Sequence, residues 1–298
     1  MKDLVAAVDL QDSLQAHGID PPYDDFEAVY SDIASDPALG DLKKVVEEKI
    51  RGYFASLALP DSPTLYDHLV LSLRSKDVIA TFNWDPFLWQ AANRNHRFSD
   101  MPTLLFLHGN VAIGYCPDCK VVRQRRDKCP RCNRPVIDSP LLYPVKKKEY
   151  QSDPAIAAHW RTLVSALKTA WTITFFGYSA PKTDLEAVDL MKHAWGDVDE
   201  RNLEETEIID IRSEDQLLAT WAPFIHTHHF RVRTTFYDSY IARHPRRSCE
   251  ALWACLMEAR FVEGSQLPVE ANFEDLRKWL QPRVNSETAS SSRAAVSV

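Results

Sequence analysis

The stretch Asp77-Val78-Ile79-Ala80-Thr81-Phe82-Asn83 is a short apolar run closed at both ends by polar residues, and Trp84-Asp85-Pro86 follows it directly. Pro86 suits the first turn of a helix, where a missing N–H costs nothing, and the helix continues through Trp89 and Ala92. A strand, a tight turn and a helix are therefore expected. The pattern returns twice. Thr103 to Leu107 stops at His108-Gly109, and Trp171 to Phe176 stops at Gly177-Tyr178-Ser179, ahead of Asp184 and a helix bearing Leu185, Val188 and Met191. Two further strands are expected over Glu207 to Ile211 and His229 to Phe236. Apolar strands alternating with helices are buried on both faces, so the expectation is an α/β fold with a Rossmann-like, mostly parallel sheet and helices on both faces. Ligands of such sheets bind beyond the carboxyl ends of the strands. Asn83, Asp85, His108, Ser179 and Asp210 fall at or just past those ends.

Working outward, residues 1–75 read as mostly helical, with apolar spacing in Phe26, Val29, Tyr30 and Ile33 and again in Leu42, Val45, Val46, Ile50 and Phe54. Breaks fall at Pro21-Pro22, Pro37 and Pro60 to Pro63. Residues 76–283 form the α/β domain, with an inserted ribbon at about 113–138. Residues 284–298 are Ser/Ala-rich and read as a disordered tail. The 298 residues carry a net charge of −7, which gives no general attraction to nucleic acid or anionic membrane. No apolar run is long enough to cross a bilayer, and the acidic start lacks a signal-peptide pattern, so a cytoplasmic protein is expected.

Four of the six cysteines stand in two pairs, Cys116-Pro117-Asp118-Cys119 and Cys129-Pro130-Arg131-Cys132. Each turn presents two thiolates to one ion, and two turns complete a tetrahedral set, so structural Zn(2+) is expected at Cys116, Cys119, Cys129 and Cys132. Four cysteine ligands leave no open position for water. Such a metal holds a ribbon together and does no chemistry. Cys249 and Cys255 read as core or partly buried thiols. Arg123, Arg125, Arg126, Lys128, Arg131 and Arg134, extended by Lys146-Lys147-Lys148, form either a solvated ribbon face or a patch for a phosphate-bearing partner.

These motifs together resemble the sirtuin superfamily. Thr81-Phe82-Asn83-Trp84-Asp85 resembles its T-x-N-x-D segment, Leu107-His108-Gly109 its catalytic LHG, and the paired cysteines follow at its zinc-ribbon position. Phe176-Gly177-Tyr178-Ser179 with Asp184 resembles the form found in its bacterial branch, and the order agrees from about residue 64 to 240. The resemblance implies cleavage of the nicotinamide N-glycosidic bond of NAD, through a cationic ribose like that of glycoside hydrolysis. By position, Asn83 would hold the nicotinamide ribose or a water, Asp85 the ribose or carboxamide, and His108 would be the general base. Thr81, Gly177, Ser179, Asp184 and Asp210 would line the cofactor-binding side. Read singly, Asn83 and Asp85 could instead cap the following helix, His108 could be a strand-end histidine, Ser179 a helix cap and Asp210 a strand terminus.

The chain departs from the family in two places. No two of its eight glycines form a G-x-G, so the first strand and its Gly-Ala-Gly phosphate loop are missing, degenerate or encoded ahead of Met1. The deacylases' FGE-x-LP segment is unrecognisable, with Tyr143-Pro144-Val145-Lys146 in its region. The expectation is accordingly a sirtuin-like NAD hydrolase releasing nicotinamide and ADP-ribose, and bacterial relatives of this form are often antiphage effectors. The alternatives are a catalytically silent module binding NAD, ADP-ribose or a protein partner, an NAD-dependent protein deacylase, and a zinc-ribbon adaptor for nucleic acid. A homo-oligomer fits any of these readings.

Overall fold

A computed structural model describes residues 4–143, 150, 153–181, 184–197, 199–201, 203–225 and 229–296, with side chains to residue 287. Lys146-Lys147-Lys148 lies outside the described residues. Helices fill the N-terminal part as the apolar spacing predicts: α1 (Leu4–Ala7), α2 (Gln11–Gln15), α3 (Phe26–Ser35), α4 (Gly40–Ser56) and α5 (Leu65–Leu71). Phe26, Tyr30 and Ile33 of α3 meet Leu42, Val46 and Ile50 of α4, so each helix buries one stripe. The Asp25 carboxylate accepts from the Ala28 amide to start α3, and a reciprocal Thr64–Asp67 box starts α5. Trp84, Val111 and Leu141 complete the same cluster. The helices thus pack against the loops that leave the sheet.

The strand–turn–helix grammar holds. β1 (Val78–Thr81), α6 (Phe87–Asn95) and β2 (Thr103–Phe106) form a unit with β1 and β2 parallel, Thr81 opposite Phe106. An antiparallel ribbon follows, β3 (Ile113–Cys116), β4 (Val121–Gln124) and β5 (Ile137–Asp138), with β3 in the middle. The chain then resumes with α7 (Pro154–Leu167), β6 (Thr172–Phe176), α8 (Leu185–Trp195), β7 (Glu205–Ile209), α9 (Glu214–Trp221) and β8 (Phe230–Arg233). β6, β7 and β8 are parallel neighbours in that order. Short helices α10 (Tyr240–Arg243) and α11 (Ser248–Met257) precede α12 (Phe273–Val296), which runs on through the Ser/Ala-rich stretch for which composition predicts a disordered tail.

The parallel strands form one layer in two pieces. Leu105 of β2 and Ile208 of β7 share a core cluster with α7, α8 and α9, while their neighbours Phe106 and Ile209 share another with α5, α6 and α12. Both pieces therefore have the same two faces. The α6 crossover lies on one face and the α8 and α9 crossovers on the other. Because β-α-β crossovers are right-handed, the chain steps in opposite directions in the two pieces, and the reversal falls between β1 and β6. Those two strands exchange no backbone hydrogen bonds. The reversal is the switch point at which open α/β sheets bind ligands.

Strand bounds differ most from expectation in two places, and in the first the run expected over 229–236 is Phe230–Arg233, with Phe236 opening a short helical turn. The run expected over 207–211 is Glu205–Ile209, and Ile211 is 93% exposed beyond it. Glu205 and Glu207 are buried, the first paired with Arg231 at 2.7 Å and the second near Arg233 at 3.8 Å. Cross-strand pairing makes an acidic strand start tolerable, which a hydrophobicity pattern does not register. No helix among the described residues is long and apolar enough to cross a membrane.

Among the glycines, Gly109 has the closest surroundings. Its φ is +78°, and a Cβ there would lie 1.7 Å from the Pro140 carbonyl oxygen. Gly109→Ala is expected to destabilise by roughly 1–3 kcal/mol from backbone conformation alone, with the clash in addition. Urea denaturation of the variant beside wild type measures the loss.

Candidate active site and metal centre

Each candidate residue sits where its strand ends. Asn83 and Asp85 follow β1, His108 follows β2, Gly177 to Ser179 follow β6 and Asp210 follows β7. Parallel strands bring these ends to one edge of the layer. The β1 turn folds on itself: Thr81 Oγ1 accepts from the Asn83 amide at 3.1 Å, and Asp85 Oδ1 accepts from the Phe87 amide at 3.0 Å, at the start of α6. Asp85 therefore closes an Asx turn just ahead of α6, whose N-cap is Pro86. Burial raises its carboxyl above the usual carboxylate range, with the Phe87 amide opposing. Asn83 is exposed, and Trp84 between them is buried against Phe54 and Tyr143. Tyr66 lies alongside, its phenol pushed up to about 12 by burial and then by the Asp85 charge, with Asn83 opposing.

Asn110, two residues beyond His108, is the joint of this edge. It is fully buried, its Nδ2 donates to the Asp85 carbonyl at 2.6 Å and the Asn83 carbonyl at 3.4 Å, and its Oδ1 accepts from the Ala112 amide at 2.9 Å. Sequence reading passed over it, although its place directly after His108-Gly109 is a usable signal.

His108 is 6% exposed. Its carbonyl accepts from the Leu142 amide at 2.9 Å, and the preceding Leu107 carbonyl accepts from Trp160 Nε1 at 3.2 Å, so the backbone is fixed on both sides. Phe82 meets the imidazole edge-on at 4.8 Å, and Tyr150 stacks on it at 5.9 Å with 12° between planes. Phe82 also stacks on Tyr178 at 4.4 Å. Asp184 Oδ1 lies 3.7 Å from His108 Nε2, and the Tyr178 hydroxyl donates to Asp184 Oδ2 at 3.0 Å. Burial, the Asp184 charge and that hydrogen bond all hold the Tyr178 phenol protonated, far above its ordinary range.

Three strand ends thus converge on one imidazole: Phe82 from β1, His108 from β2, and Tyr178 with Asp184 from β6. Ser179 is exposed, and Gly177 has a φ of +62° with open space around it. Asp210 binds Arg212 through Nη2 at 2.8 Å and Nε at 3.2 Å, which holds its carboxyl below the usual range. Arg212 also reaches the Tyr178 carbonyl at 3.4 Å and so ties the β7 loop to the β6 loop. Phe82, Tyr150, Trp160 and Arg212 carry no signal in a linear pattern, because they meet His108 or its neighbours only through the fold.

The four expected metal ligands come together. Their sulfurs lie within 4.8 Å of one another, with Cys116 Sγ 3.6 Å from Cys132 Sγ. A tetrahedral thiolate site with Zn–S near 2.3 Å has sulfur separations of about 3.8 Å, so the set fits zinc. The two knuckles match: the Lys120 amide donates to the Cys116 carbonyl and the Asn133 amide to the Cys129 carbonyl, both at 2.8 Å, and Lys120 and Asn133 both have φ near +55°. The Arg134 amide pulls the Cys132 thiol down to about 6, while burial and the neighbouring thiols push Cys119 up to about 12. Four crowded thiols cannot all ionise without a cation among them. Part of the basic ribbon surface is already neutralised, since Arg125 pairs with Asp138 at 2.7 Å and Arg134 with Asp118 at 2.6 Å.

No family model and no curated protein matches the chain. Solved structures do. A Sir2 homolog in complex with NAD is 15% identical over 76% of this chain and 80% of its own, with a TM-score of 0.36. Sir2Tm bound to a propionylated peptide is 16% identical over 74% of this chain and 83% of its own, also at 0.36. Sir2 with the inhibitor EX-527, 2′-O-acetyl-ADP-ribose and a deacetylated p53 peptide is 14% identical over 74% and 83%, at 0.34. At these scores the likeness adds nothing to what the strand order and the cysteine set carry.

The metal centre makes a direct prediction. Purified protein is expected to hold one zinc per chain by elemental mass spectrometry, and Cys129→Ser to lose it. Stripping zinc with a chelator is expected to lower Tm by about 10 °C or more, because the ion binds only the folded ribbon.

Proposed function

We propose that this chain is a sirtuin-type enzyme that consumes NAD, and that its reaction is hydrolysis of the nicotinamide N-glycosidic bond. The observation that carries the reading is a buried histidine at the switch point, beside a carboxylate and reached by three strand ends. A histidine there can titrate near neutral pH and serve as a base. In the reaction, the C1′–N bond of the nicotinamide ribose breaks and its electron pair neutralises the departing pyridinium. Water attacks C1′, His108 takes one of its protons, and that proton later passes to solvent. The products are nicotinamide, ADP-ribose and one proton.

In this proposal Asn83, exposed on the β1 turn, holds the nicotinamide ribose or the attacking water. Asp85 contacts the ribose or carboxamide. Thr81, Gly177, Ser179, Asp184 and Asp210 belong to the nucleotide-binding side, where open space at Gly177 allows close backbone approach. Asp210 would meet a ribose with Arg212 attached. Zinc in the ribbon stays structural. The reading implies a cytoplasmic protein, because NAD is its substrate. An antiphage effector role follows from the resemblance alone, and NAD depletion in infected cells carrying the gene tests it.

The absence of a G-x-G favours one other reading, a silent module that binds NAD or ADP-ribose without turnover. Peptide deacylation has less support, since the segment expected to hold the peptide is unrecognisable. One assay separates these readings. Wild type is expected to release nicotinamide and ADP-ribose from NAD, and His108→Ala to lose roughly 10²–10⁴-fold in kcat, the usual contribution of a general base, with zinc content unchanged. Calorimetric binding of ADP-ribose with no turnover in wild type would establish the silent module instead.

A further inference from the structure

The carboxyl end of β7 carries a cation that has no part in the proposed reaction. Arg212 lies two residues past Asp210 and forms a bidentate pair with it, Nη2 to Oδ2 at 2.8 Å and Nε to Oδ1 at 3.2 Å. The Arg212 amide donates to the same Oδ1 at 2.9 Å. Nη2 also reaches the Tyr178 carbonyl at 3.4 Å, so the guanidinium bridges the ends of β6 and β7. Nη1 takes part in none of these bonds, and the side chain keeps 30% of its surface in solvent. Arg231 and Arg233 of β8 are turned instead to the buried Glu205 and Glu207.

Asp210 is correspondingly occupied. A carboxylate offers about four acceptor sites, and hydrogen bonds from Arg212 fill most of them. The group that the end of β7 presents to a ligand is therefore the guanidinium. Its surroundings suit an anion: Tyr178 stands between Gly177, whose backbone has open space around it, and Ser179, which is exposed. Ile211, between Asp210 and Arg212, is 93% exposed, so this turn stands clear of the protein. Glu214 and Asp215 follow at the start of α9, exposed where solvent screens them. A nucleotide held across this edge needs donors for its phosphates, and no two glycines of the chain form the G-x-G that would present backbone amides. A guanidinium fork matches a phosphate in charge and shape, and Arg212 stays protonated throughout.

We infer that Arg212 is the phosphate-binding residue of the nucleotide site, held by Asp210 and set beside the β6 loop, and that its ligand is a nucleoside diphosphate. The inference rests on the reading of this edge as a nucleotide site. Asp210, which sequence order placed on the nucleotide-binding side, orients the guanidinium and keeps acceptor capacity for a ribose hydroxyl. Two phosphate sources share this chemistry: the pyrophosphate that joins the two nucleosides, and a 2′-phosphate on the adenosine ribose.

The test is calorimetric, on full-length protein, with adenosine, ADP-ribose and 2′-phospho-ADP-ribose, none of which carries a nicotinamide to release. Wild type is expected to bind one or both phosphate-bearing ligands roughly 10–100-fold more tightly than adenosine, by a margin that shrinks with added salt. Arg212→Gln, which can still donate to Asp210 and the Tyr178 carbonyl, should lose that margin and leave adenosine binding unchanged. Arg212→Met reads the same margin if Arg212→Gln does not fold. A margin lost with ADP-ribose identifies the pyrophosphate as the group held, and one lost only with the 2′-phosphate identifies that group. In steady-state kinetics Arg212→Gln should raise KM for the dinucleotide by the same factor and change kcat far less, because a phosphate remote from the breaking bond is bound alike in ground and transition states. Wild type that binds both phosphate-bearing ligands no more tightly than adenosine overturns the inference with no variant needed. So does a folded variant that keeps the margin, and so does equal weakening of all three ligands, which would make Arg212 a tie between loops. Binding of none of the three rejects the nucleotide site and the inference with it. Failure of wild type to consume NAD, with the margin present and dependent on Arg212, rejects hydrolysis alone.

Discussion

The Asn110 side chain is the interaction on which the rest of the site depends. A buried amide must have its hydrogen bonds made inside the protein, and Asn110 makes them to the two carbonyls of the β1 turn and to the amide that opens the ribbon. The loop after β2 is thereby tied to the loop after β1. Gly109, one residue earlier, lets the same loop pass against Pro140 at a distance no side chain permits. His108 is placed as a result, with its backbone closed by Leu142 and its imidazole turned into the aromatic cluster.

Around that joint, two substructures serve one edge. The N-terminal helices bury Trp84, which lies between exposed Asn83 and half-buried Asp85. The ribbon grows out of the loop that carries Asn110, and its four cysteines sit at the far end from the sheet's core. The four-sulfur cluster and His108 are thus linked through a few residues and chemically separate. A zinc ion held by the four sulfurs would stabilise the ribbon from which the His108 loop departs, and four thiolates would leave it no open coordination position.

The sheet itself is divided where its chain direction reverses, and the aromatic pair Phe82 and Tyr178 spans the division. Backbone that would otherwise join β1 to β6 is replaced there by side-chain stacking over the histidine. Arg212 adds a second bridge, from the β7 loop to the Tyr178 carbonyl.

Much of this was legible in the chain. Apolar runs of four to six residues ending in Asn, His or Gly marked the strands and put the candidate residues at their carboxyl ends, because backbone periodicity and turn chemistry are local properties. The two C-x-x-C turns announced a four-sulfur site for the same reason: ligand spacing within a turn is fixed by a few residues. Glu205 and Glu207 hid the start of β7, since their burial depends on Arg231 and Arg233 in a strand some 26 residues away. The sequence by itself determined the fold class, the ribbon and the identity of the histidine at the strand end. Only the tertiary structure decided what surrounds that histidine, because Phe82, Tyr150, Tyr178 and Asp184 come from separate loops and are brought together by strand order and core packing, which no local pattern encodes.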